Sequence, residues 1–491
     1  MQRSILSVLV ALTLSLAVKA QTYTSTTMVT GLNYPVAFDV ADDGRFFITQ
    51  KGGNSSGSCA NGFIRVFSSA GTSLGTFYNL TDSVQCDFER GLLGIELDPD
   101  FTNNHYVYVY YNHYYAGDER IRIVRFTEVA NVGTNPTIIF DLDIPNNING
   151  NHVGGNLHFR PSDPNHLYFT IGDLAYALSN QTLNYANKLT NPYGKIHRIN
   201  LDGSAPTDNP FYDDGNPLVG NCDWIWSYGH RNSFDFCFNP VTDSMYCSEN
   251  GQNTYDEVNI IHRGGFYGWA ACEGNFDADT LSLPCHTTGD IRPISVWGPG
   301  GLPAVTGIVF YTGTVWAAIE NHLIVADNDF GRIYDCTMGN APAYDVVTTR
   351  VQMGDLTTSG GLTTLRQSVD GCVFAMKGGY TTNGQIYKVC PLGIGIAENN
   401  TALNSLVVYP NPASGVLNIE STFLSNTDLN AELIDFSGRL IHSCEANTVK
   451  GNKCTYSIDL LRNKIAKGIY FVQIKNTLTK EVMATTKVVV D

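Results

Sequence analysis

The stretch FCFNPVTDSMYCSENG (Phe236 to Gly251) reads as a β-hairpin: an alternating apolar run, a polar turn carrying Asn239, Pro240 and Asp243, and a second alternating run. The same pattern recurs in FDVADDGRFFITQ (Phe38 to Gln50), IELDPDFTNNHYVYVYY (Ile95 to Tyr111) and LHFRPSDPNHLYFTIGD (Leu157 to Asp173). Two weaker copies follow, GIVFYTGTVWAAIENHLIVADND (Gly307 to Asp329) and TTLRQSVDGCVFAMKGG (Thr363 to Gly379), which makes six. Between the copies lie further strands, among them IRIVRF (Ile121 to Phe126), GKIHRIN (Gly194 to Asn200) and GRIYDC (Gly331 to Cys336). Each unit can therefore supply a four-stranded blade. The economical reading is all-β, with a six-bladed β-propeller over residues 21–390. A pair of β-sandwiches is the competing fold, but self-similarity over this many units favours the propeller.

Composition agrees. Of 491 residues, 47 are Gly, 26 Tyr and 24 Phe, and only 15% are charged, a mixture that suits strands and turns better than a helical bundle. The formal charge of -16 argues against nucleic acid or an anionic membrane as partner, since either needs a basic patch. Arg3, the apolar run Ile5 to Val18 and Ala20 have the layout of a secretory signal over residues 1–20, cleaved before Gln21. A secreted or cell-surface protein is expected. No other stretch is apolar for long enough to make a transmembrane segment. In an exported chain the twelve cysteines read as a disulfide set, because no Cys-x-x-Cys is present. The local pairings expected are Cys237 with Cys247, Cys272 with Cys285, and Cys444 with Cys454.

The propeller pattern stops near Cys390, and residues 391–402 read as a linker. Residues 403–491 then show strands of their own, including LVVYPNPASGVLNIE, AELIDFSGRLI, GIYFVQIKN and TTKVVVD, which suggest a small C-terminal β-sandwich. The YPNP opening, the DFSGRLI hairpin, the KGIYFVQI strand and the KVVV ending resemble the C-terminal sorting domain of type IX secretion cargo. That resemblance implies the type IX secretion machinery as a partner and passage across an outer membrane. An accessory carbohydrate-binding or immunoglobulin-like module is the alternative.

In a propeller, chemistry belongs in the loops around the central channel. His152 stands beside Gly154 and Gly155, and the strand ending at Asp173 could return a carboxylate to orient the imidazole. Gly229-His230-Arg231-Asn232 offers a fixed cation with an amide neighbour, suited to a carboxylate or quinone oxygen. Gly251 and Gln252 follow a strand and could turn backbone carbonyls toward a hard cation, with Asp256 and Glu257 adding carboxylates. Glu89-Arg90 reads as a structural ion pair.

Taken in order, ERGLLGIELDPDF (Glu89 to Phe101), NHVGGNLHFRP with LYFTIGD, GKIHRINLDGSAPTDNPF (Gly194 to Phe211), IWSYGHRN and SENGQNTYDEVNIIHRGGFYGW resemble the soluble glucose/sorbosone dehydrogenase family. Its members are six-bladed propellers that use pyrroloquinoline quinone, and the family includes the propeller of Hedgehog-interacting proteins. The resemblance implies that His152 is the general base toward a sugar hydroxyl and that Asp173 supports it. It places Arg231 and Asn232 on cofactor and substrate, with Glu89 also among the cofactor-binding residues. Gly251 and Gln252 fall at the carbonyls that hold Ca²⁺, and Glu257 and Tyr267 near a second, structural Ca²⁺ site.

The chain departs from that family at the cofactor's carboxylates. Where a Lys and an Arg pair are expected, it reads LIVADNDFGRI (Leu323 to Ile333) and SGGLTTLRQSVDG (Ser359 to Gly371). Asp329 stands near the Lys position, and Gly361 and Thr363 near the Arg positions. An anionic tricarboxylate would then meet Asp327 and Asp329, with Arg332 and Arg366 as the nearest substitutes. Asn156 also stands where the family often has Arg. The leading expectation is a quinone-dependent oxidoreductase acting on an aldose or related sugar. The alternative is a non-catalytic propeller that binds a glycan or a protein, and a Ca²⁺-dependent hydrolase of the lactonase kind is a third class.

Overall fold

The computed structural model describes residues 23–490 apart from 54–58, 146–149, 177–182, 253, 275, 278–288, 299–302, 393–402, 424–428, 436–438, 447, 451–452 and 478–481. The signal segment, most of the linker and Cys285 lie outside the described residues. The chain divides into two compact units, Met1–Pro391 and Leu392–Asp491.

Among the described residues the first unit holds six antiparallel sheets of four strands each and a two-stranded ribbon, Cys272–Glu273 with Phe276–Asp277. Every one of the repeated hairpins supplies the first two strands of a sheet, for example Ser233–Phe238 with Met245–Glu249 in the fourth blade. The first strands of successive blades touch in ring order and line a central channel. Alternation explains the packing, because residues two apart share a face and each apolar face is buried against the neighbouring blade. Between the first and second blades Phe47 meets Phe77 and Phe101 edge to face at 5.6 Å, and Phe77 meets Phe126 at 5.8 Å.

The ring closes on an N-terminal strand. Tyr23–Leu32 pairs antiparallel with Gly384–Pro391, so the last blade takes its outermost strand from the start of the chain. Cys372 is bonded to Cys390 within the same sheet, and Cys59 to Cys86 in the first-blade region.

Two of the expected cystine pairings are overturned. Phe236 is opposite Cys247 and Cys237 opposite Tyr246, so the two thiols point to opposite faces of one hairpin and both stay free. Cys444 and Cys454 lie on different sheets of the second unit, and both are thiols there. Cys272 is disulfide-bonded, with its expected partner Cys285 beyond the described residues.

The C-terminal ends of the inner strands enclose a chamber that holds an ionic network. His158 Nδ1 lies 2.9 Å from Glu96 Oε2 and its Nε2 3.0 Å from Asp235 Oδ1, with Arg366 3.5 Å from the other Asp235 oxygen and Asp39 also facing the chamber. Burial alone would lower the His158 pKa, and Arg366 adds to that. The Glu96 and Asp235 carboxylates outweigh both and raise it to about 9.

The second unit is a β-sandwich of two four-stranded sheets. Leu417, Ile419, Leu433, Tyr456, Val472 and Val488 fill the space between them.

Two outcomes are expected. Deleting residues 23–32 from the mature chain should abolish the cooperative unfolding of the propeller by removing the strand that closes it; an unchanged thermal transition would contradict that role. The stabilisation from charged His158 should be complete below pH 6.5 and fade as pH rises through about 9. H158Q should therefore cost roughly 3 kcal/mol at pH 6 and much less above pH 9, by denaturant titration at both pH values.

Candidate functional site

At the other end of the channel, the N-terminal ends of the inner strands converge on a cavity of about 220 Å³. Glu89, Gly154, Gly155, Asn156 and Asn232 line it. His152, Asp173 and Arg231 stand behind these residues, His152 bonded to Glu89, Asp173 to His152, and Arg231 to the Asn250 carbonyl.

His152 has a left-handed backbone, φ 53°, which a non-glycine residue keeps only where its surroundings impose it. Its N–H donates to Glu89 Oε2 at 2.7 Å, and its carbonyl accepts from the Leu174 N–H at 3.2 Å. The imidazole Nδ1 meets Asp173 Oδ1 at 2.6 Å. Asp173 is fully buried, and its second oxygen accepts from Trp269 Nε1 at 2.7 Å and Asn184 Nδ2 at 3.0 Å. Burial pushes this carboxyl up, but the hydrogen bonds from His152, Asn184 and Trp269 outweigh it and hold the pKa below the ordinary Asp value. An ionised Asp173 fixes the Nδ1–H tautomer and leaves Nε2 as the basic nitrogen. The neighbouring glycines serve packing: a Cβ on Gly154 would meet the Thr170 carbonyl at 2.5 Å, and one on Gly155 would meet Leu93 Cβ at 2.7 Å.

Arg231 and Asn232 separate in space. Asn232 faces the cavity and donates to Glu89 Oε2 at 3.2 Å. Arg231 is buried beneath it, donates through NH1 to the Asn250 carbonyl at 2.8 Å and lies over the Trp269 ring. Burial lowers its pKa against the pull of Asp173, Glu89, Glu273 and Glu249. Its Nε is buried without a hydrogen-bond partner among the described residues. Glu249 holds this turn in place by accepting from the Arg231 N–H, the Ser233 hydroxyl and the His230 ring. The expected Glu89–Arg90 pair does not form, because Arg90 turns to Asp87 and Glu119 and leaves Glu89 to His152 and Asn232.

Of the expected cation residues, Gly251, Glu257 and Tyr267 line a small void together with Glu249, Glu273 and Arg231, and Gln252 lies outside that lining. The N–H groups of Gly251 and Gln252 donate to Asp256 and Glu273, while their carbonyls accept no hydrogen bond among the described residues. Burial, reinforced by the nearby Glu249 and Glu273 carboxylates, raises Glu257 to about 8. Crowded buried carboxylates with open carbonyls suit a hard dication, which would neutralise the charge that burial penalises. Glu249, Glu257 and Glu273 would hold Ca²⁺ there. The Tyr267 hydroxyl is already engaged, donating to the Ile260 carbonyl and accepting from the His262 N–H.

The family model for glucose/sorbosone dehydrogenase matches residues 32–388. The chain belongs to this family. Residues 407–491 match the secretion system C-terminal sorting domain, so the chain carries an export signal of that type. Quinoprotein glucose dehydrogenase B of Acinetobacter calcoaceticus is 28% identical over 61% of this chain and 63% of its own length. An aldose sugar dehydrogenase of Escherichia coli is 25% identical over 62% of this chain and 78% of its own. The chain thus spans under two thirds of the Acinetobacter protein. Among solved structures, the PQQ-bound aldose sugar dehydrogenase of Streptomyces coelicolor superposes with a TM-score of 0.57 at 21% identity, covering 75% of this chain and 99% of that one. No helix among the described residues is long and apolar enough to cross a membrane.

The cavity does not fit a tricarboxylate quinone. The charged residues that line it are Lys51, Glu89 and Asp329. Lys51 is 2% exposed and spends its ammonium on the Gly53 and Cys86 carbonyls at 3.0 and 2.6 Å. Arg366 lies in the opposite chamber and Arg332 pairs with Asp355, so neither replaces the missing clamp. Asp327 is also out of reach, buried against the Phe330 N–H and the Tyr334 hydroxyl, which leaves Asp329 alone of the two to face a ligand. Asn156, in the position of the family's Arg, donates to Asp235.

Sequence reasoning missed Asn184, Trp269, Glu249 and Glu273 as supports. The Trp that ends GGFYGW was visible, but nothing in its spacing ties it to Asp173, 96 residues away. Adding Ca²⁺ at about 100 times its Kd should raise the stability of the mature protein by about 2.7 kcal/mol, read as a higher Tm. E257Q should be insensitive to the ion, and an equal Ca²⁺ response in E257Q would place the ion elsewhere.

Proposed function

We propose that this exported chain is a carbohydrate-binding propeller that holds a sugar hydroxyl against a general-base dyad. The observation that carries this reading is the 2.6 Å contact of His152 with a buried, ionised Asp173 directly behind the cavity wall. Asp173 holds the Nδ1–H tautomer, so that Nε2 accepts a hydrogen bond from the sugar hydroxyl. Glu89, fixed by the His152 N–H and Asn232, supplies an acceptor for a second sugar hydroxyl. The C-terminal domain directs the propeller to the type IX machinery, which releases it at the cell surface or beyond.

A second reading is oxidation of an aldose or related sugar with pyrroloquinoline quinone, the activity that the names of the relatives carry. One observation favours it: buried Arg231, beneath Asn232, keeps an unpartnered Nε as a donor close to the cavity floor. The acidic cavity opposes it, since an anionic ligand gains no charge-assisted partner there.

The two readings part in one experiment on the mature full-length protein with Ca²⁺ present. Calorimetric titration with D-glucose and with short oligosaccharides should show binding that H152A weakens about tenfold, the loss of one hydrogen bond. Fluorescence titration with the quinone should show no binding below about 100 µM. Micromolar quinone affinity, with sugar-dependent dye reduction abolished by H152A, would establish the second reading instead.

A further inference from the structure

The walls of the cavity carry two carboxylates and several open amide oxygens, and no lining cation has its charge free for a ligand. Four asparagines line the cavity, and each spends one N–H of its side-chain amide: Asn156 on Asp235, Asn232 on Glu89, Asn250 on the Val305 carbonyl at 2.7 Å and Asn328 on the Leu362 carbonyl at 3.2 Å. For Asn232, Asn250 and Asn328 the Oδ1 is the open acceptor, receiving no hydrogen bond among the described residues. The lining hydroxyls of Thr306 and Thr364 donate to backbone carbonyls, while that of Thr363 has no partner among the described residues. Glu89 and Asp329 add two carboxylates, and Asp329, at the rim, pairs with no cation among the described residues. The single lining cation, Lys51, points its ammonium at carbonyls, with the Tyr380 ring centroid 5.3 Å away.

We propose that the ligand of this cavity is an amino sugar, with its ammonium group received by Asp329 and the asparagine carbonyls. The inference rests on the carbohydrate reading of the site and adds the ligand class to it. An ammonium carries three donors and no acceptor, which matches the unpaired Asp329 carboxylate and the open asparagine oxygens, and a sugar hydroxyl, which donates and accepts, matches the rest of the lining. An N-acetylated amine loses two of those donors and the charge. A uronic acid brings an acceptor-only carboxylate toward Glu89 and Asp329, which like-charge repulsion disfavours. Burial raises the Asp329 pKa above the ordinary Asp value, consistent with a carboxylate that lacks a countercharge.

The test is calorimetric titration of the mature full-length protein at pH 6.5 with 2-amino-2-deoxy-D-glucose, D-glucose, N-acetyl-D-glucosamine and D-glucuronate. The amine is expected to bind about tenfold more tightly than glucose, with the N-acetyl sugar no better than glucose and the uronate weakest. In D329N, a change at an exposed rim position, the preference for the amine over glucose should shrink to about twofold, with Tm unchanged and glucose affinity retained. Equal affinity for amine and glucose would overturn the inference and leave the carbohydrate reading standing. A preference for the uronate, or an amine preference that D329N leaves intact, would also overturn it. Failure of all four sugars to bind would overturn the carbohydrate reading along with the inference.

Discussion

The pairing of Tyr23–Leu32 with Gly384–Pro391 is the contact on which the propeller depends. Sheets in a ring bury their faces only if the ring is complete, because an open ring leaves one blade face in water and one edge unpaired. Closure also sets the geometry of function. It brings the N-terminal ends of six inner strands, drawn from residues more than 300 apart, around one cavity. No local segment could assemble that cavity by itself.

Within the ring, buried carboxylates fix the working parts. Asp173 gathers His152, Asn184 and Trp269, and Glu249 gathers His230, Arg231 and Ser233. Each anchor is stable because its oxygens are satisfied by donors on the loops and strand ends that surround it, which is the condition for keeping a charge out of water. The void beside Glu257 is the exception, because it crowds three buried carboxylates whose mutual repulsion adds to the cost of burial, and a dication answers that imbalance. The far chamber solves the same problem with protein cations, His158 and Arg366 between Glu96 and Asp235.

The fold was readable because its signal is local and repeated. Alternation within a hairpin of about fifteen residues decides which face is buried, and six such hairpins in one run imply six blades. The pairing of His152 with Asp173 was also legible, since adjoining segments of one blade carry both residues. The cysteine pairs were not, because a pairing depends on register: one residue of offset sends Cys237 and Cys247 to opposite faces of the sheet. The partners of Asp173 were hidden for a related reason, as Trp269 reaches it from another blade.

By itself the sequence determined an all-β chain of six blades with a C-terminal sorting domain, a His-Asp pair, and the absence of the basic residues that would clamp an anionic cofactor. Patterns of alternation, motif and composition carry that information along the chain. Only the tertiary structure decided which groups face the cavity. It turned Arg231 beneath the floor, tied Lys51 to carbonyls, hid Asp327 and left Asp329 and the asparagine carbonyls exposed to a ligand. The physical reason is that a side chain acts through the atoms it still has free. Which atoms are free depends on hydrogen bonds between blades that no stretch of sequence contains.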